Sequence, residues 1–274
     1  LLSKLFAIDH ALDLSCPMPP VALQFVLRLA LGIAIGIGLT PASLAAASFH
    51  RLSCWCLLIL GVTAAALVHL DGEPAERSGG VIFLAILLSV LACAAAAFYQ
   101  RGRNEAGRAA VFGAGLSAVL AVSLATGWSR VTSGLGMWLA LADLVSSGLL
   151  LGVILATLWL GLWHLNTACV QRLPLEQLAG LAGAALAVRT VLGVLGMGIA
   201  LFASRQVPGL FWLFLVFRWV MALLTCWLLR ILAPEIRQPL GQQSVAVLVY
   251  LALFASLAAE LGTQLVSVEI PYTV

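Results

Sequence analysis

Apolar residues along this chain come in long unbroken runs, not in alternation with polar ones. Eight such runs can be marked, at approximately 21–40, 50–70, 80–99, 109–127, 136–163, 177–203, 208–232 and 244–266. Each is near the ~20 residues that a helix needs to cross the hydrocarbon layer of a bilayer. The fifth and sixth runs exceed that length and predict helices that tilt or extend past it. Strand-like alternation is missing, which excludes a transmembrane barrel. The pattern predicts an all-α, polytopic transmembrane helical bundle of about eight spans, filling residues 21–274 with no soluble domain. Ahead of it, "LLSKLFAIDHALDLSC" has neither the charged start nor the small-residue cleavage site of a signal peptide. Residues 1–20 read instead as an amphipathic segment lying on the membrane surface.

Composition removes the soluble alternative. Hydrophobic residues make up 63% of the 274 and charged residues 9%, against ~25% charged in a soluble domain. The net charge of +3 is spread over short loops with no basic stripe, so nucleic acid is not an expected partner. The lipid bilayer is. Loops one, three, five and seven carry Arg51, Arg101, Arg103, Arg108, Arg172, Arg230 and Arg237, whereas the other side carries Lys4, Arg77, Arg130 and Arg205. The positive-inside rule then places the odd loops in the cytoplasm and both termini on the outer side. A bacterial cytoplasmic (inner) membrane is the expected location.

Small residues mark close helix contacts. Gly32 and Gly36 form a small-xxx-small pair in span one, and Gly193, Gly196 and Gly198 line span six. "RLALGIAIGIGL" from Arg28 and "RTVLGVLGMGIAL" from Arg189 echo each other. Gly- and Leu-rich helices resemble one another readily, so packing is the simpler explanation than a repeat.

Charge inside the spans is the informative exception. Arg28, Asp143, Arg189, Arg218 and Glu260 all fall within apolar runs. A charge at the centre of a lipid-facing helix costs about 2.5–3.5 kcal/mol. Four of the five share one depth in the outer half of the bilayer, with Arg189 somewhat deeper. The expectation is that three cations and two anions converge inside the bundle, with Arg218 facing a carboxylate. Such a cluster is either an ion-pair network that fixes helix rotation, or a polar ligand pocket or proton path.

Other chemistry is sparse. His50 at the start of span two and His164 at the end of span five lie near the same membrane face and suit one b-type haem. Trp159 and Trp163 beside His164 favour an interfacial belt over that haem. Cys54-Trp55-Cys56 is too closely spaced for a zinc clip and has no second pair, so no metal site is expected. The remaining cysteines, Cys16, Cys93, Cys169 and Cys226, read as small hydrophobes. No nucleotide-binding, zinc-hydrolase or nucleophile-elbow motif occurs, so no stand-alone catalytic residue is assigned.

Eight spans, both termini outside, minimal loops and a polar cluster in the outer half resemble the NrfD/PsrC/DmsC-type membrane anchor subunits of respiratory complexes. That resemblance covers architecture along the whole chain and implies an integral subunit of a multi-subunit electron-transfer assembly. It also implies a quinone as ligand, and other membrane subunits and an iron–sulfur or cytochrome subunit as partners. The alternatives are a secondary transporter or ion channel using the same charges, and a structural or assembly subunit with no site.

Overall fold

The computed structural model describes residues 18–41, 47–70, 75–125, 134–166, 173–202, 209–235 and 242–269. The surface segment expected over 1–20 lies outside the described residues, apart from Met18 onward, which opens the first helix. Eight helices are described: α1 (Met18–Leu39), α2 (Ala47–Leu70), α3 (Ala75–Gln100), α4 (Asn104–Ala125), α5 (Gly134–Asn166), α6 (Leu173–Phe202), α7 (Gly209–Glu235) and α8 (Gln242–Glu269). Seven of them are long and apolar enough to cross a membrane, and α8 carries the apolar stretch Val247–Thr263. The helices extend beyond several of the apolar runs. Hydropathy marks only the lipid-matched window, whereas backbone hydrogen bonding continues until a stop signal.

One such stop is visible between α3 and α4. Gly102 takes φ 71°; Arg103 N–H donates to Phe98 O at 2.9 Å and Gly102 N–H to Tyr99 O at 3.2 Å. This pair of bonds satisfies carbonyls that the helix end would otherwise leave bare, and the left-handed backbone favours glycine. α4 then starts with Glu105 in its first turn, where a negative charge suits the helix dipole.

The helices form two rings of four. In the first, α1 packs on α2, α2 on α3, α3 on α4 and α4 back on α1; in the second, α5 packs on α6, α7 on α8 and α8 back on α5. Each ring has its own apolar core, centred on residues such as Leu27, Leu57, Leu88 and Val111 in one and Val153, Leu160, Leu178 and Val249 in the other. Large apolar side chains such as Ile59, Phe83, Leu116, Leu223 and Phe254 point outward, as a lipid-facing surface requires.

α1 and α5 join the rings. The Gly32 and Gly36 pair meets Gly148 and Gly152, which stand at the same four-residue spacing. A Cβ at Gly148 would lie 2.6 Å from the Arg28 carbonyl oxygen, and one at Gly36 would lie 2.9 Å from the Ala156 methyl. Gly32 and Gly152 approach backbone to backbone, the close contact that small residues permit in membranes. Residue numbers rise together along the seam, so α1 and α5 run parallel. The echo between spans one and six does not reflect this pairing, because the partner of α1 is α5.

Candidate functional site

Where the rings meet, every helix of the second ring contributes one ionisable side chain, and α1 adds another. Asp143 comes from α5, Arg189 from α6, Arg218 from α7, Glu260 from α8 and Arg28 from α1. All five are more than nine-tenths buried, with relative exposures between 3% and 8%. Asp143, Arg218 and Glu260 each lie about nine residues from the same end of the bundle, roughly 14 Å along a helix axis. Arg28 is at nearly the same level and Arg189 is deeper. The convergence and the common depth expected from the sequence are both present.

The close α1–α5 contact brings Arg28 within reach of its partners. Its Nη1 donates to Ser147 Oγ and to Glu260 Oε1, each at 3.0 Å, and lies 3.5 Å from Asp143 Oδ2. Arg189 Nη2 donates to both oxygens of Glu260 at 3.0 Å, and its Nη1 donates to Asp143 Oδ1. Two arginines and two carboxylates thus tie α1, α5, α6 and α8 together. Such bridges in a low-dielectric interior are favoured when the remaining hydrogen-bonding capacity is also met; Ser147 meets part of it, while Arg28 Nε is buried without a partner.

Arg218 departs from the expectation. It has no ion pair among the described residues; Arg28 and Arg189 take both carboxylates. Its Nη1 is buried without a hydrogen-bond partner. The guanidinium sits against Gly193, where a Cβ would approach Nη2 to 2.7 Å. Glycine at that position leaves room for it. The cluster as a whole carries three cations against two anions, and Arg218 is the one with no ion pair among the described residues, although Glu260 is near enough to act on its charge.

A small cavity of about 30 Å³ lies here, lined by Arg218, Arg189, Glu260, Thr190, Thr225, Ser256 and Thr263 among others. That volume has room for about one or two waters. Its hydroxyls donate along their own helices: Thr190 to Leu186 O, Thr225 to Met221 O, Ser256 to Ala252 O and Thr263 to Ala259 O, at 2.8–2.9 Å. Ser256 Oγ also lies 3.3 Å from Thr225 Oγ1, so these two hydroxyls partner each other between α7 and α8. A ligand atom suited to the unmatched Arg218 Nη1 is an acceptor.

Beside this cavity α6 and α7 splay apart. A groove of about 550 Å³ runs between them, lined by Ala179, Gly183, Ala187, Leu223, Cys226, Leu229 and Arg230. Leu186, Thr190, Trp219 and Ala222 line both spaces. The result is an apolar groove that shares part of its lining with the cavity holding the Arg218 guanidinium. Its volume is typical of small-molecule sites, which run from about 300 to 1,000 Å³.

Of the two histidines proposed as haem ligands, only the side chain of His50 lies among the described residues. His50 is fully buried, edge-on to Phe49 and 4.6 Å from the Tyr99 ring. Its Nε2 is 3.2 Å from the Thr40 carbonyl oxygen. A carbonyl only accepts, so this nitrogen carries the proton and is not available to haem iron. His164 is in the last turn of α5, where side chains lie outside the described residues. No group of metal-ligating side chains occurs among the described residues. Cys54, Cys56, Cys93 and Cys226 are free thiols in the spans.

Sequence reasoning missed Ser147 and the hydroxyl lining, and read Gly193 only as a helix-packing residue. Spacing carries a signal for each. Ser147 stands four residues after Asp143, Gly193 four after Arg189, and Ser256, Glu260 and Thr263 recur on one face of α8.

Fold and cluster define a polytopic helical membrane protein with a charged interior. No protein-family model, curated protein or solved structure matches the chain.

Proposed function

We propose that the chain is an integral subunit of a multi-subunit electron-transfer assembly in a bacterial cytoplasmic membrane, and that its α6–α7 cleft receives a quinone. The observation that carries this reading is the buried, unpartnered Arg218 Nη1 in a cavity that shares part of its lining with an apolar groove. A quinone needs a donor for its carbonyl oxygen and an apolar wall for its tail, and the cleft offers both. The electrons come from a partner polypeptide, an iron–sulfur or cytochrome subunit, docked where the positive-inside rule leaves the outer face. Glu260 is bound to two arginines, so it acts here by positioning Arg189 and Arg28.

The ion-pair reading and the pocket reading divide the cluster between them. Arg28, Asp143, Arg189 and Glu260 suit a structural role, because each spans two helices. Arg218 has none to play, which favours a ligand for it. The transporter alternative lacks support from broken helices near the midplane: α1 to α8 each run unbroken over the described residues.

Purification in mild detergent, with mass spectrometry of bound subunits and extraction of quinone, tests the proposal. The expected result is redox subunits at fixed stoichiometry and a quinone that Arg218→Leu removes while the bundle stays monodisperse. A chain that purifies alone or as a homo-oligomer, without quinone, overturns it.

A further inference from the structure

We infer that the α6–α7 cleft is a binding site for a long-chain carboxylate, with the carboxylate on Arg218 and the alkyl tail along the groove. This ligand would compete with the quinone for Arg218; the inference needs only the cleft and the guanidinium, so palmitate binding tests it separately from the electron-transfer reading. Three observations carry it together.

The first is charge. Three arginines face two carboxylates within the cluster, and Arg218 is the one with no ion pair among the described residues. It is 8% exposed and its Nη1 has no partner. In a low-dielectric interior a cation without an ion pair attracts an anion strongly, and a guanidinium matches the two oxygens of a carboxylate.

The second is size. The cavity at Arg218 is about 30 Å³, room for one or two water-sized groups such as the oxygens of a carboxylate. Arg218 also lies about nine residues inside α7, roughly 14 Å from its end and below the level where phospholipid headgroups sit. A single-chain acid reaches that depth from the bilayer.

The third is the tail. The groove shares Leu186, Thr190, Trp219 and Ala222 with the cavity. It follows α7 from Trp219 to Arg230, a rise of about 16 Å. Arg230 at the far end is exposed, so a carboxylate there gains little over one in water. The polarity of the ligand is therefore fixed: head inward at Arg218, tail toward Arg230.

The test is equilibrium binding of radiolabelled palmitate to the full-length protein in mild detergent. One saturable site per chain is expected. Arg218→Gln should weaken binding by about tenfold or more, the loss of one charge-assisted contact, and Arg230→Gln should leave it within about twofold. Methyl palmitate, which has the tail without the charge, tests the same point on unaltered protein; it should bind at least about tenfold more weakly. Ala222→Trp, which fills the passage between cavity and groove, should abolish binding. Equal binding of the methyl ester, or dependence on Arg230 in place of Arg218, overturns the inference. So does full displacement of palmitate by acetate or chloride, which would make the site one for small anions.

Discussion

The two rings are built alike and differ at one seam. Between α2 and α3 the helices touch: a Cβ on Gly61 would meet Ser89 and Leu88 and lie 2.9 Å from the Ala85 carbonyl oxygen. Ser89 Oγ also reaches Leu58 O at 3.5 Å across the same seam. The corresponding seam of the second ring, α6 against α7, is open. Gly180 and Gly183 of α6 have nothing within 4 Å of a Cβ, and the groove runs past Gly183. Small residues thus serve opposite ends in the two rings. Gly61 lets α2 and α3 close; Gly183 leaves a wall without side chains along the groove. Among the described residues, the groove beside the buried cluster lies where the seam fails to close.

The largest expected effect separates the ion-pair network from the free cation. Glu260→Leu removes the carboxylate that Arg28 and Arg189 share and leaves buried positive charge behind. It should cost about 3–5 kcal/mol of stability, in line with other broken buried pairs. Arg218→Leu, only a helix away, breaks no ion pair and should stay within about 1 kcal/mol of the parent. Unfolding of both variants in mixed micelles measures the difference. Equal losses would mean that Arg218 belongs to the network and that the second ring has no spare cation.

Next in size is the joint between the rings. Gly152→Val forces a branched side chain into the backbone of Gly32 and Ile33. Overpacking of that kind costs about 1–3 kcal/mol. It should also draw Arg28 away from Asp143 and Ser147, since Arg28 stands one turn from the contact. Double-mutant coupling between Gly152→Val and Ser147→Ala checks this; additive losses would show that the glycine seam and the arginine are independent.

How far the sequence foretold this follows from what each signal encodes. The spans were legible because lipid demands about 20 apolar residues in a row, and the charges stood out against them. Depth along a helix is linear in residue number, so the common level of Asp143, Arg218 and Glu260 was legible too. Rotation about the helix axis and the choice of neighbour were not. That is why Arg218 was expected to face a carboxylate: counting five charges does not say which two arginines come first. Gly148, Gly152 and Ala156 carry the same spacing as Gly32 and Gly36, so the α1–α5 joint could have been read from the two motifs together. The open α6–α7 seam has no such signature. It follows from what α5 and α8 hold in place around α6 and α7, a property of the whole ring.

The smallest effects test the seams directly, because one substitution should have opposite signs in the two rings. Gly61→Ala puts a methyl group against the Ala85 carbonyl and the side chains of Ser89 and Leu88, so it should destabilise by about 1 kcal/mol or more. Gly183→Ala puts the same methyl into open groove. There only the helix preference for alanine remains, and it favours the variant by up to about 1 kcal/mol. Both glycines are mid-helix, so the backbone contribution largely cancels in the comparison and the contact is what differs. Measured side by side in the same micelles, Gly61→Ala should lower the unfolding midpoint and Gly183→Ala should raise it. Losses of equal size would mean that α6 and α7 close in the membrane as α2 and α3 do, and Arg218 would then be sealed from any ligand arriving through the lipid.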